Sequence, residues 1–90
     1  MEIELYKDAK LDLEYWGKSG NKAIQKKIQE LFIDMKKHPF EGVGKPEPLR
    51  YELTGKWSRR INHEHRIVYS VTNNIINIYS LKGHYLLTLS

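Results

Sequence analysis

The chain has 90 residues, no cysteine and a formal net charge of +4, which excludes a disulfide frame, a thiolate nucleophile and a Cys-based zinc site, and points to one domain spanning residues 1–90. No stretch approaches the roughly 20 apolar residues of a membrane span, and the start "MEIELYKDAK" has no basic segment followed by an apolar run, so the expected setting is the cytoplasm, away from any membrane. The charge is uneven: residues 1–44 hold eight Lys against eight acids, whereas residues 45–90 hold seven Lys and Arg against three Glu, including every arginine of the chain.

"EIELY" alternates polar and apolar residues and predicts a first strand. Asp8 then stands where a helix cap is expected, with Leu11, Tyr15 and Trp16 as the apolar side of that helix. "SGN" breaks it. From Lys22 to Lys37, Ala23, Ile24, Ile28, Leu31, Phe32 and Met35 recur at helical spacing, with lysines on the opposite side, and His38-Pro39 stops the helix. "PFEGVGKPEP" contains all three prolines of the chain and reads as a stiff loop. Beyond it, "LRYEL", "KWSRRIN", "RIVYSV" and "IINIYSL" read as strands separated by a "TG" turn, an "HEH" corner and a "TNN" turn.

The expected architecture is α+β: an N-terminal strand and two helices packed on one face of a mainly antiparallel sheet, with the other face open. Alternation along "RIVYSV" puts Ile67, Tyr69 and Val71 on one side and Arg66, Val68 and Ser70 on the other. If the first set meets the helices, Arg66 projects from the open face.

Clustered arginines suit a polyanion, because a guanidinium donates two parallel hydrogen bonds to a phosphate; they equally suit a solvated sheet face. For chemistry, the chain offers no Gly-rich phosphate loop and no pair of histidines at helical metal-ligand spacing, so no metal or cofactor is expected. His63 and His65 flank Glu64 without a third ligand nearby and read as solvated turn residues. Acid-base cleavage of RNA requires less, since the 2′-hydroxyl is its own nucleophile and the protein supplies a base, an acid and a cation. Glu47 in the proline loop, Arg66 on the open face and His84 near the end are candidates, and Tyr85 is suited to stack on a base. Each has a plain alternative: Glu47 as a solvated carboxylate, Arg66 in a surface ion pair with Glu64 or Glu52, His84 as a half-buried strand residue, Tyr85 packed on Trp57.

"PFEGVGKPEPLRYELTGKWSRRINHEHRIVYSV", followed by a late "HY", closely resembles the YoeB (Txe) toxins, a branch of the RelE/ParE superfamily of bacterial toxin-antitoxin systems. The ordered set of motifs covers nearly the whole chain. The resemblance implies a microbial-ribonuclease-like fold and cleavage of mRNA in the ribosomal A site. It assigns Glu47 as general base, Arg66 as the phosphate-stabilising cation, His84 as general acid and Tyr85 as the terminal tyrosine of the motif. It also implies that Arg59, Arg60 and Glu64 shape the site and hold RNA, with Arg50 and Lys82 as further basic residues there. The ending departs from the usual "CRYHY": here it is "LKGHY" followed by "LLTLS".

The family's partners are a YefM-like antitoxin, the ribosome with its mRNA, a second copy of the toxin, and operator DNA only through the antitoxin complex. Two rivals stand beside this reading: a ParE-like toxin that inhibits DNA gyrase without catalysis, and an inactive module that binds RNA or antitoxin.

Overall fold

A computed structural model describes residues 1–83, so the expectations placed on His84, Tyr85 and the Leu86–Ser90 ending lie outside the described residues. In chain order the elements are β1 (Glu2–Leu5), α1 (Lys7–Ser19), α2 (Lys22–Lys37), β2 (Glu47–Pro48), a 3₁₀ turn (Tyr51–Leu53), β3 (Trp57–Arg60), β4 (Arg66–Thr72) and β5 (Ile75–Ser80). The five strands form one sheet in the order β1-β5-β4-β3-β2. β1 runs parallel to β5 and the other pairings are antiparallel, so the sheet is mixed. The α+β arrangement expected from the sequence is present.

Helix α2 follows its periodicity closely. The Asn21 side chain accepts a hydrogen bond from the Ile24 amide at the N-cap, and Ile24, Ile28, Leu31 and Met35 are buried on one stripe. Each such side chain contributes roughly 1.5–3 kcal/mol by leaving water. Helix α1 differs from expectation. Its N-cap is Tyr6 rather than Asp8, which sits in the first turn, and its buried residues are Ala9 and Trp16, while Leu11 and Tyr15 remain half exposed. Ala9, Leu13 and Trp16 recur at the same helical spacing and share the face turned to the core. The small Ala9 was invisible as an anchor because it carries little apolar weight in a pattern.

The core joins these helix faces to Ile67 and Tyr69 of β4 and Ile76 and Ile78 of β5. Alternation therefore turns Arg66, Val68 and Ser70 to the opposite face, as read from the sequence. That face is not bare: Val68, Ser58, Ser70 and Asn77 are buried. The Tyr79 hydroxyl bonds Ser70 at 2.7 Å, and the Lys56 ammonium lies 4.3 Å from the centre of the Tyr79 ring.

Two local expectations are corrected. "LRYEL" is not a strand: Tyr51 adopts a φ of 59° and Thr54 bonds back to the Tyr51 carbonyl through its amide and its hydroxyl, closing a tight link between β2 and β3. Conversely, the end of the proline loop is a strand. Glu47 and Pro48 pair with Ser58 and Trp57 at the sheet edge, where a residue without an amide hydrogen is tolerated. The "TNN" turn is as expected, with Asn73 and Asn74 both at positive φ, the geometry of a two-residue hairpin link.

Candidate active site

Glu47 and Arg66 come from different strands and meet on the face away from the helices. Glu47 is opposite Ser58, and Ser58 is opposite Val68 two residues beyond Arg66. Directly paired residues present their side chains to the same face, so both long side chains cross the intervening β3 from opposite sides. The Glu47 Oε1 lies 3.5 Å from Arg66 Nη1. The carboxylate is the more accessible partner, its side chain 58% exposed against 13% for the arginine. Neither Glu64 nor Glu52 takes the place of Glu47 in this pair. Between them in the sheet, the buried Ser58 hydroxyl has no hydrogen-bond partner among the described residues.

Arg60 is directly opposite Arg66 across β3 and β4 and is exposed. Two like charges facing each other are unfavourable in isolation. Set beside one carboxylate, they leave a local positive excess suited to a phosphodiester. Arg50, at the entry to the 3₁₀ turn, and Glu64, in the corner before β4, are also exposed. Lys82 is placed elsewhere: its ammonium sits 3.9 Å from the centre of the Tyr15 ring on α1.

Arg59 requires a correction. Expected to hold RNA, it is wholly buried, because β3 alternation turns it toward the helices. Its Nη1 bonds the Asp34 carboxylate at 2.7 Å and the Val43 carbonyl at 3.1 Å, its Nη2 bonds the carbonyls of His38 and Glu41, and its Nε bonds the Tyr69 hydroxyl. That hydroxyl in turn donates to the Pro39 carbonyl at 2.8 Å. A charge with no access to water is tolerated only when paired and fully hydrogen-bonded, and Arg59 meets both conditions. The 38–44 loop is wrapped around this guanidinium, and the loop leads directly into Glu47.

The hydrogen bond from Arg59 holds the Asp34 carboxyl below the usual carboxylate range, with the Val43 amide and the arginine charge adding to it against partial burial. Burial raises the Tyr69 phenol above its ordinary value, despite the opposing arginine. Because the folded carboxyl of Asp34 is depressed, its contribution to stability is present above the unfolded value and is lost as pH falls through the folded one. Asp34→Asn is therefore expected to lower stability at neutral pH and to flatten its loss in acid, measured by urea denaturation from about pH 7 to about pH 2. An unchanged acid limb would remove Asp34 as its source.

Gly44 seals the loop against β3: its carbonyl accepts from the Arg60 amide at 2.7 Å. With φ at +87° and a hypothetical Cβ 2.8 Å from the Leu31 side chain and 3.1 Å from the Arg60 carbonyl oxygen, any other residue is strained here and forces a neighbour to shift. Gly44→Ala is expected to destabilise the fold by about 1–3 kcal/mol, as a strained and overpacked position, read as a lower urea midpoint.

Sequence reasoning missed Asp34, Tyr69 and His65. For Asp34 a signal existed: it is an acid near the C-terminal end of a lysine-rich helix, where the helix dipole disfavours a carboxylate. His65 is not the solvated turn residue expected, since its side chain is only 16% exposed. Among the described residues no group of three or more His, Cys, Asp or Glu is placed to hold a metal ion, and no helix is long and apolar enough to cross a membrane.

Comparison with known proteins places these features in a family. The family model for the YoeB-like toxin of bacterial type II toxin-antitoxin systems matches residues 5–85. Toxin YoeB of Escherichia coli strain K12 is 51% identical over 74 residues, 82% of this chain and 87% of that protein. Among solved structures, a YoeB-YefM complex from Staphylococcus aureus matches with a TM-score of 0.85 and 46% identity, covering 94% of this chain and 98% of the other. A YoeB dimer from the same organism matches with a TM-score of 0.85 and 45% identity, again over 94% and 98% of the two chains. This chain belongs to the YoeB-like toxins of bacterial type II toxin-antitoxin systems.

Proposed function

We propose that this toxin is a ribosome-dependent endoribonuclease that cleaves mRNA in the ribosomal A site by metal-independent acid-base transesterification. The observation that carries this reading is the convergence of Glu47 and Arg66, 19 residues apart in the chain, to 3.5 Å on one face of the sheet beside Arg60. Glu47 takes the proton of the 2′-hydroxyl. That oxygen attacks the adjacent phosphorus in line, Arg66 stabilises the charge that builds on the phosphoryl oxygens, and His84 gives a proton to the departing 5′ oxygen. The products are a 2′,3′-cyclic phosphate and a 5′-hydroxyl end. In this scheme Tyr85 stacks on a base at the site, and Arg50, Arg60 and Glu64 line the approach of the RNA.

A carboxylate-guanidinium pair on one face of a sheet, with the carboxylate 58% exposed, does not by itself bend RNA into in-line geometry. The ribosome supplies that geometry, and the gain from holding reactants in line is large enough to decide whether cleavage is seen. Solved relatives also support partners: a YefM-like antitoxin, which would carry operator DNA binding, and a second copy of this chain. Cytoplasmic action follows from the ribosomal substrate.

Primer extension on a defined mRNA, with and without ribosomes halted at a known codon, tests the proposal. A cut at the A-site codon that requires ribosomes is the expected result. Absence of any cut by folded protein would overturn it, and inhibition of DNA gyrase by the same preparation would assign the gyrase-directed rival instead.

A further inference from the structure

The segment after β5 is held by three side chains from other elements. Asp12 of α1 accepts from the Leu81 amide at 2.9 Å, and the Trp16 indole donates to the Leu81 carbonyl at 2.9 Å. Two residues later the Gly83 amide donates to His65 Nδ1 at 2.9 Å, while the Gly83 carbonyl accepts from the Arg66 amide at 3.0 Å. Gly83 adopts a φ of +87°, a left-handed conformation that glycine enters without a steric penalty. This gives a physical reason for glycine at the position where the family's usual ending has an aromatic.

His65 is itself rigidly placed. The Asn62 side-chain oxygen accepts from the amides of Glu64 and His65, both at 2.8 Å, and the His65 carbonyl accepts from the amides of Ile61 and Asn62. Its ring meets Trp16 edge to face, with centroids 4.8 Å apart. An amide can donate to Nδ1 only when that nitrogen carries no proton, so the hydrogen bond assigns the proton to Nε2. Glu64 Oε1 lies 4.0 Å from Nε2. Among the described residues, the other charged residues tied to this segment are Asp12, on the Leu81 amide, and Arg66, whose amide donates to the Gly83 carbonyl, while the ammonium of Lys82 lies over the Tyr15 ring.

We propose that His65 is a positioning residue: its neutral imidazole latches the Gly83 amide and so holds the Gly83 carbonyl on the Arg66 amide, fixing the backbone that carries the cation of the proposed reaction. The inference rests on the nuclease reading for its catalytic consequence and on geometry alone for the latch. A doubly protonated ring would set two donors against each other and release Gly83, so the latch operates only with His65 neutral.

In the unmutated protein, NMR is expected to show a ¹⁵N–¹⁵N coupling between the Gly83 amide and His65 Nδ1 across the hydrogen bond, with Nε2 protonated. A protonated Nδ1 at neutral pH would overturn the latch, whatever the variants do. His65→Phe keeps a ring against Trp16 without the acceptor, and His65→Asn keeps an acceptor close to the Nδ1 position. Hydrogen exchange at Gly83 should speed up in His65→Phe and stay slow in His65→Asn, at acidic as well as neutral pH.

In the ribosome assay, kcat should fall roughly tenfold in His65→Phe with KM unchanged, the scale of one lost hydrogen bond that orients a catalytic group, and recover in His65→Asn. Loosened Gly83 with full kcat would overturn the positioning role. Unmutated protein that cuts no RNA yet shows the coupling would retain the latch and reject only the nuclease reading.

Discussion

Glu47→Gln is expected to lower ribosome-dependent cleavage by roughly 10²–10⁴-fold, the usual worth of a positioned general base. The amide is nearly isosteric but cannot accept the 2′ proton. Stability should change by no more than about 1 kcal/mol, because the Glu47 side chain is 58% exposed, although its partner Arg66 is only 13% exposed. Removing a negative charge beside Arg66 and Arg60 should leave RNA affinity equal or tighter. The loss therefore belongs in kcat rather than in KM. Single-turnover cleavage on halted ribosomes, with thermal unfolding as control, measures both. Full activity in folded Glu47→Gln would show that another group takes the proton.

Arg59→Met should produce the largest loss of stability, about 3–5 kcal/mol, the range for removing one partner of a buried ion pair. The substitution leaves the Asp34 carboxylate without its counter-ion and strips hydrogen bonds from the carbonyls of His38, Glu41 and Val43. Typical folding free energies are only about 5–15 kcal/mol, so a melting point lower by ten degrees or more is expected, at about 4–8 °C per kcal/mol for a chain of this size. Cleavage should fall as well, because the loop leading to Glu47 loses its anchor. The double variant Arg59→Met with Asp34→Leu should recover part of the stability, since it no longer strands a charge. A drop below about 1 kcal/mol in Arg59→Met alone would mean that the loop is held by other contacts and that the guanidinium is not its anchor.

The two arginines of "SRRI" illustrate how sequence and tertiary structure divide the information. They are adjacent, equally charged and indistinguishable by type, yet one is a buried structural hub and the other an exposed neighbour of the candidate site. Period-two alternation requires that they face opposite ways. Which of them faces inward depends on Asp34, 25 residues away in the chain, and on a loop whose carbonyls point at one spot only after α2 and β3 have packed.

Local rules determined much from the residues alone. Helix α2 was legible from end to end, since its stripe, the "SGN" break before it and its His38-Pro39 stop are all encoded locally, whereas the Asn21 cap emerged only in the structure. The β4–β5 hairpin was legible for the same reason, through two asparagines that accept positive φ. The ordered motifs around "KPEPL", "SRRI" and "EHR" identified the family, and alternation along β4 placed Arg66 on the face away from the helices.

Tertiary structure decided the rest. The parallel pairing of β1 with β5, the conversion of "LRYEL" into a 3₁₀ turn, the two-residue edge strand that presents Glu47, and the burial of His65 against Trp16 all depend on contacts between distant segments. Periodicity reports which residues share a face of one element; register, and hence the 3.5 Å approach of Glu47 to Arg66, exists only once separate elements are hydrogen-bonded side by side.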